Sequence, residues 1–288
     1  MCRLHLMVAA TAFGILGAIS GDARAQDLPG MVPQDIRERG YIEIVTDPSF
    51  GPPWSYHPGD DQSEYAGIDV DIANEFSKRL DLEPRFVSLG FAAIIPALKS
   101  GRFDMAMAGM SDTEERGKQI DMIDYALDST TLLVQAGNPK NIRGLEDLCG
   151  LSVAGVTGSI QLAMAEEQSP KCDEPINITA FPTKSDAVLQ VETKRMDATL
   201  DGYIVSGYLT KEGVLGQKNM EAVFEAVLNP KPLGIGVAKG NAELRDAVVA
   251  AINSMIQDGT YQKIFAKWGD DNMPLKAADV NNFRLGQE

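Results

Sequence analysis

Arg116 is the residue whose surroundings most suggest the capture of an anion. It follows Ser111-Asp112-Thr113-Glu114-Glu115, where Ser111 or Asp112 with an acid three positions on has the spacing of a helix N-terminal capping box. A guanidinium is a planar fork of donors that matches a carboxylate bidentately. The competing use is an ion pair with Asp112 at i, i+4. Gly158-Ser159-Ile160-Gln161 offers a second anion site, because a helix start leaves backbone N–H groups free. Ser159 as an ordinary N-cap would use the same residues. The chain has two histidines, His5 and His57, and His57 lies in the turn-like run Tyr56-His57-Pro58-Gly59-Asp60-Asp61. That argues against imidazole acid–base catalysis and Cys/His metal clusters, and neither metal nor cofactor is expected.

The first 25 residues read as an export signal. Arg3 and His5 precede an apolar run from Leu6 to Ile19, and Ala23-Arg24-Ala25 places small residues at the −3 and −1 positions of a cleavage site. The run is short of the ~20 residues needed to span a bilayer. Of three cysteines, Cys2 would leave with the leader; Cys149 and Cys172 remain, 23 positions apart. An even count in an oxidising compartment favours a disulfide over two free thiols. The formal net charge of −15 argues against nucleic-acid binding, which needs clustered Lys and Arg.

The remaining chain has the elements to hold these groups. Tyr41–Thr46 alternates and is rich in β-branched residues, as a strand does. Helical spacing from Ile68, a strand over Pro84–Ser88, a helix over Phe91–Lys99 and a strand over Phe103–Ala108 give a βαβαβ run, which implies a parallel sheet with crossover helices. A second run follows: strands at 151–156, 176–181 and 197–200, with helices at 159–168 and 185–194. A strand over Leu233–Ala238 and helices over 242–257 and 261–268 close the chain. Extended stretches at 129–135 and 229–233 would connect two α/β lobes, 26–130 plus 231–288 and 131–230. Two short crossovers make a hinge, with a ligand cleft between the lobes.

Gly67-Ile68-Asp69-Val70-Asp71-Ile72-Ala73, Ile94 to Asp104, Ala108 to Arg116, and Glu243-Leu244-Arg245 with Asp258-Gly259-Thr260-Tyr261 and Lys267-Trp268-Gly269 resemble the polar-amino-acid solute-binding proteins of ABC importers, solute-binding protein family 3. The resemblance implies a type II periplasmic-binding fold in the periplasm. Such a protein closes on a small amino acid-like ligand and docks, here expected as a monomer, to an importer permease in the inner membrane.

The resemblance also assigns roles. Arg116 takes the ligand carboxylate. Backbone groups at Ala108 and Gly109 hold the ligand's ammonium, the hydroxyl of Ser111 makes polar contacts, and the turn at Ser159 and Ile160 completes the carboxylate grip. Phe50 and Phe91 match positions where apolar side chains face the ligand. The sharpest departure is Asp201. The family has its ammonium-binding acid five residues after the Asp matching Asp197; here Asp201 stands at four and Gly202 at five. A one-residue shift on a strand turns a side chain to the other face. Either a bulge or turn returns Asp201 to the cleft, or the site lacks that acid. Asp112 stands where the family is apolar, and could contact a cation or pair with Arg116. Two alternatives to an importer's binding protein stay open: a periplasmic enzyme similar to cyclohexadienyl dehydratases, and a ligand-sensing accessory protein.

Overall fold

A computed structural model describes residues 27–269 and 275–285. The expected signal peptide, 1–25, lies outside the described residues. After α1 (Gln34–Arg39) come β1 (Tyr41–Thr46), α2 (Ile68–Arg79), β2 (Glu83–Ser88), α3 (Phe91–Lys99) and β3 (Met105–Ala106). The one-turn α4 (Glu114–Gly117) leads into a long strand, β4 (Ile120–Gln135). Next come β5 (Ser152–Val156), α5 (Ile160–Gln168), β6 (Asn177–Phe181), α6 (Lys184–Glu192) and β7 (Ala198–Gly202). The chain finishes with α7 (Tyr203–Lys211), α8 (Val214–Gln217), β8 (Met220–Ala238), α9 (Ala242–Gln257), α10 (Thr260–Lys267) and β9 (Asp279–Val280).

The strands follow the order β2-β1-β3-β8-β4-β7-β5-β6, with β9 added to β4. β1 lies parallel to β2 and β3, and β5 lies parallel to β6 and β7, as two runs of crossover helices require. β4 and β8 join the two groups as one antiparallel ribbon. The first half of β4 pairs with the end of β8, and its second half pairs with the start of β8 and with β7. Register shifts at Asp124/Ala126, Asp128/Thr130 and Thr130/Leu132 bend this ribbon between the groups. The stretches expected as separate connectors, 129–135 and 229–233, are thus parts of two continuous strands. The strand expected over Phe103–Ala108 is only Met105–Ala106. Asp104 turns aside to accept from the backbone N–H of Glu43 and to pair with Arg39, and Gly109 turns left-handed beyond it (φ +54°).

The apolar periodicity read in the sequence packs the core. Ile68, Ile72 and Phe76 of α2 meet Ile42 and Ile44 of β1, Ile235 of β8 and Val248 of α9. Ile94 and Leu98 of α3 pack on Val45 and Ile120. On the far side Leu132, Val134, Val153 and Ala165 form a separate cluster. The Cys149–Cys172 disulfide is formed, with Cα atoms 5.4 Å apart. Two motif acids act as struts. Asp69 accepts from Tyr125 Oη at 2.6 Å and from the Gly109 backbone N–H at 3.1 Å, fixing the turn after β3. Asp71 accepts from Lys267 Nζ at 2.7 Å and Trp268 Nε1 at 2.8 Å, which ties the C-terminal motif to α2.

Candidate functional site

The two groups of elements face each other across a small cavity, lined on one side by Phe50, Phe91 and Arg116 and on the other by Ser159, Lys184 and Asp201. About 40 Å³ of it is open to the centre of a water molecule, room for only a few waters. The walls therefore stand close together, at the scale of a small solute.

Arg116 sits at the meeting point. Thr113, not Ser111 or Asp112, caps α4, with its hydroxyl accepting from the Arg116 backbone N–H at 3.2 Å. The side chain is 7 % exposed. Its Nη1 donates to the Ser111 carbonyl at 2.7 Å, and its Nη2 reaches across to the Gly158 carbonyl at 3.0 Å. The guanidinium stands over the Phe91 ring, 5.2 Å from its centroid. No carboxylate lies within ion-pair distance of it among the described residues. Burial lowers its pKa to about 10, against the pull of the more distant Asp112. A cation this deep without an anionic neighbour is suited to an anion brought from outside.

The other expected residues divide. Phe50 and Phe91 stack at a tilt with ring centroids 5.0 Å apart and form an aromatic wall; Trp54, packed edge-on against Tyr125, lines the same cavity. Gly109 and Ser111 line the cavity, whereas Ala108 is buried in the cluster beneath it with Phe91 and Met110. Ser159 caps α5, accepting from the Leu162 N–H at 3.1 Å, so the N–H groups of Ile160 and Gln161 open the helix at the cavity. Gly158 is left-handed (φ +79°), and a Cβ there would stand 3.6 Å from the Ala92 backbone across the cleft.

Asp201 does line the cavity, but it is taken. Lys184 Nζ lies 2.7 Å from its Oδ1, both side chains less than a tenth exposed. Asp201 also accepts from the Gly202 N–H at 2.8 Å and from Ser206 Oγ at 3.3 Å. Lys184 Nζ further donates to the Phe50 carbonyl at 3.2 Å, so this residue touches both walls. Asp112 neither pairs with Arg116 nor faces the cavity. It is fully buried beside the Asp124 carboxyl group, and burial raises both. His57 is remote, with Nδ1 against the Glu64 carbonyl at 2.8 Å.

Lys184 and Asp128 are among the cavity residues that escaped the sequence reading. Lys184 opens α6 in a Thr-Lys-Ser-Asp run that looks like a plain helix start, capped by Thr183. Asp128 sits on β4 at 9 % exposure. The signal for it was the series Asp121, Asp124 and Asp128 in an apolar strand, since aspartate is depleted from strands.

Three comparisons set the chain beside known proteins. A model of the bacterial extracellular solute-binding proteins, family 3, matches residues 42–271. The histidine-binding periplasmic protein of Escherichia coli (strain K12) is 31 % identical, over 83 % of this chain and 89 % of its own length. An ancestral arginine-binding protein bound to arginine shares the type II periplasmic-binding fold, with a TM-score of 0.73 and 32 % identity over 80 % of this chain and 98 % of that one. An ancestral amino acid-binding protein, a precursor of cyclohexadienyl dehydratase, has a TM-score of 0.69 and 31 % identity over 81 % and 97 %.

Proposed function

The chain belongs to the bacterial extracellular solute-binding proteins, family 3, and from that premise we propose that it is a periplasmic protein that closes on an amino acid or a close relative and hands it to an ABC importer. It acts as a monomer, without catalysis, and meets the importer's permease at the inner membrane. Arg116 carries this reading: a buried cation without a carboxylate partner among the described residues, bonded to carbonyls of both walls. The ligand carboxylate takes the guanidinium's remaining donors and the N–H groups of Ile160 and Gln161, while Ser111 and the Gly109 backbone add polar contacts and Phe50 and Phe91 supply apolar area. The lobes are taken as 26–130 plus 231–288 and 131–230; the cluster around Leu132 and Val153 lies in the second, while Ile204 and Val205 of α7 pack with the cluster of the first. The dehydratase alternative is touched by a structural neighbour described as a precursor of cyclohexadienyl dehydratase, itself named as an amino acid-binding protein.

The test is thermal unfolding against the twenty amino acids and a set of small carboxylates. A ligand at a hundredfold excess over its Kd stabilises by about 2.7 kcal/mol. Arg116→Ala is expected to abolish the shift. A shift that survives this change, or one produced only by polyamines or sugars, would overturn the reading.

A further inference from the structure

Among the described residues, five charged side chains line the cavity: Arg116, Asp128, Lys184, Asp201 and Lys231. Lys184 and Asp201 neutralise each other at 2.7 Å. Lys231 sends its ammonium to the Phe283 carbonyl at 3.3 Å. Arg116 and Asp128 are left, one positive and one negative, each buried and without an ion pair among the described residues. The two oxygens of Asp128 differ. Oδ1 accepts from the N–H groups of Ser129 at 2.7 Å and Ile204 at 3.2 Å, which fixes the carboxylate. Oδ2 receives no donor among the described residues. It lies against Gly202, where a Cβ would stand 2.8 Å from it, so a side chain at that position would displace the carboxylate.

We propose that Asp128 receives the α-ammonium group of the ligand, and that Lys184 withdraws Asp201 from that role. The inference rests on the amino-acid reading above and deepens it. Arg116 and Asp128 together present the charge pattern complementary to a zwitterion. A carboxylate lacking the ammonium would satisfy Arg116 and leave Asp128 buried without a partner, a penalty that discriminates between the two.

The chemistry of Asp128 supplies a signature. Burial raises its pKa to about 7; Asp201 adds to the rise, while the two backbone N–H groups and Lys184 oppose it. Lys231 stands opposite it on β8, and Tyr125 shares its strand. A ligand ammonium against Oδ2 favours the ionised form, so binding near pH 7 expels protons.

The experiment is calorimetry of the mature protein with L-arginine, L-histidine and L-glutamine, each beside its deaminated analogue (5-guanidinopentanoate for arginine). It is run near pH 7 in two buffers of different ionisation enthalpy. The wild type is expected to bind at least one amino acid about 10-fold or more tightly than its analogue, with proton release. Asp128→Asn is expected to weaken the amino acid about 30-fold, to leave the analogue far less affected, and to lose the proton release. The double variant Asp201→Asn/Lys184→Gln, which removes the internal pair together, is expected to weaken the amino acid much less than Asp128→Asn does. Equal or greater loss in the double variant would return the role to Asp201 and overturn the proposal. Tight binding of deaminated carboxylates alone, still dependent on Arg116, would overturn it while leaving Arg116 as the carboxylate site. No binding by either class would sink both.

Discussion

Asp124 and Asp128 lie four residues apart on β4, both buried and both held above the usual carboxylate range by desolvation, yet they sit in opposite kinds of surroundings. Asp124 is covered by the C-terminal segment. Asp279 lies across from it on β9, the Asn282 N–H donates to its Oδ2 at 3.2 Å, and its nearest carboxyl neighbour is Asp112. Asp128 opens on the cavity, with a lysine-neutralised acid beside it and an arginine on the facing wall. Residue type is the same at both places, and both side chains are buried. What separates a candidate site from a structural acid is access, together with the sign of the uncompensated charge around it.

The largest test of that contrast removes the cation that quiets the cavity. Lys184→Met leaves Asp201 as a buried charge without its partner, and is expected to destabilise the ligand-free protein by about 3–5 kcal/mol. Denaturant unfolding at pH 7 measures it, and a loss under about 1 kcal/mol would mean that Asp201 is solvated. A smaller effect of opposite sign is expected at the covered pair. Asp124→Asn replaces a repelling carboxylate with an amide that can donate to Asp112, and should stabilise by about 1 kcal/mol at pH 8. At pH 5, where the pair shares protons, the gain should vanish; equal gains at both values would refute mutual repulsion.

A third effect is spread over the pH profile. Asp69, at about 6, and Asp128, at about 7, both titrate above the 3.8 of an unperturbed aspartate, so the native state holds more protons than the unfolded chain between about pH 4 and 7. Their stabilising contribution is fully present below pH 4 and is lost as pH rises through 6 and 7. The ligand-free melting temperature should drift downward across that window. Asp128→Asn should flatten its upper end, and a profile identical to that of the wild type would place the Asp128 titration elsewhere.

The contrast also marks what could be read from residues alone. The two parallel runs were legible because their apolar periods are strong and their turns are punctuated by glycine, as at Ser100-Gly101 and Gly158. The motif acids Asp69 and Asp71 were legible as a pattern, and their work proves to be structural, holding Gly109 and the C-terminal Trp268. β4 and β8 were not legible as whole strands, because their bulged middles and scattered charges break the alternation that identifies a strand. Arg116 was visible in its motif. Lys184 was not, since what sets it apart is which group it meets across the fold, and no spacing along the chain encodes that; Asp128 left a trace only as one of three aspartates in an apolar strand.

The Lys184 contact with the Phe50 carbonyl carries one more consequence. Parting the walls breaks that 3.2 Å hydrogen bond, while the 2.7 Å pair with Asp201 can travel intact with the far wall. Pulling unit charges apart from ~4 Å in surroundings of effective dielectric 20 would take about 4 kcal/mol; a hydrogen bond from a charged donor is worth about 1.5–3. Because the lysine keeps its counter-ion, opening is a short-range event rather than a coulombic one. Its rate should be nearly indifferent to ionic strength, even in a chain whose formal charge is −15.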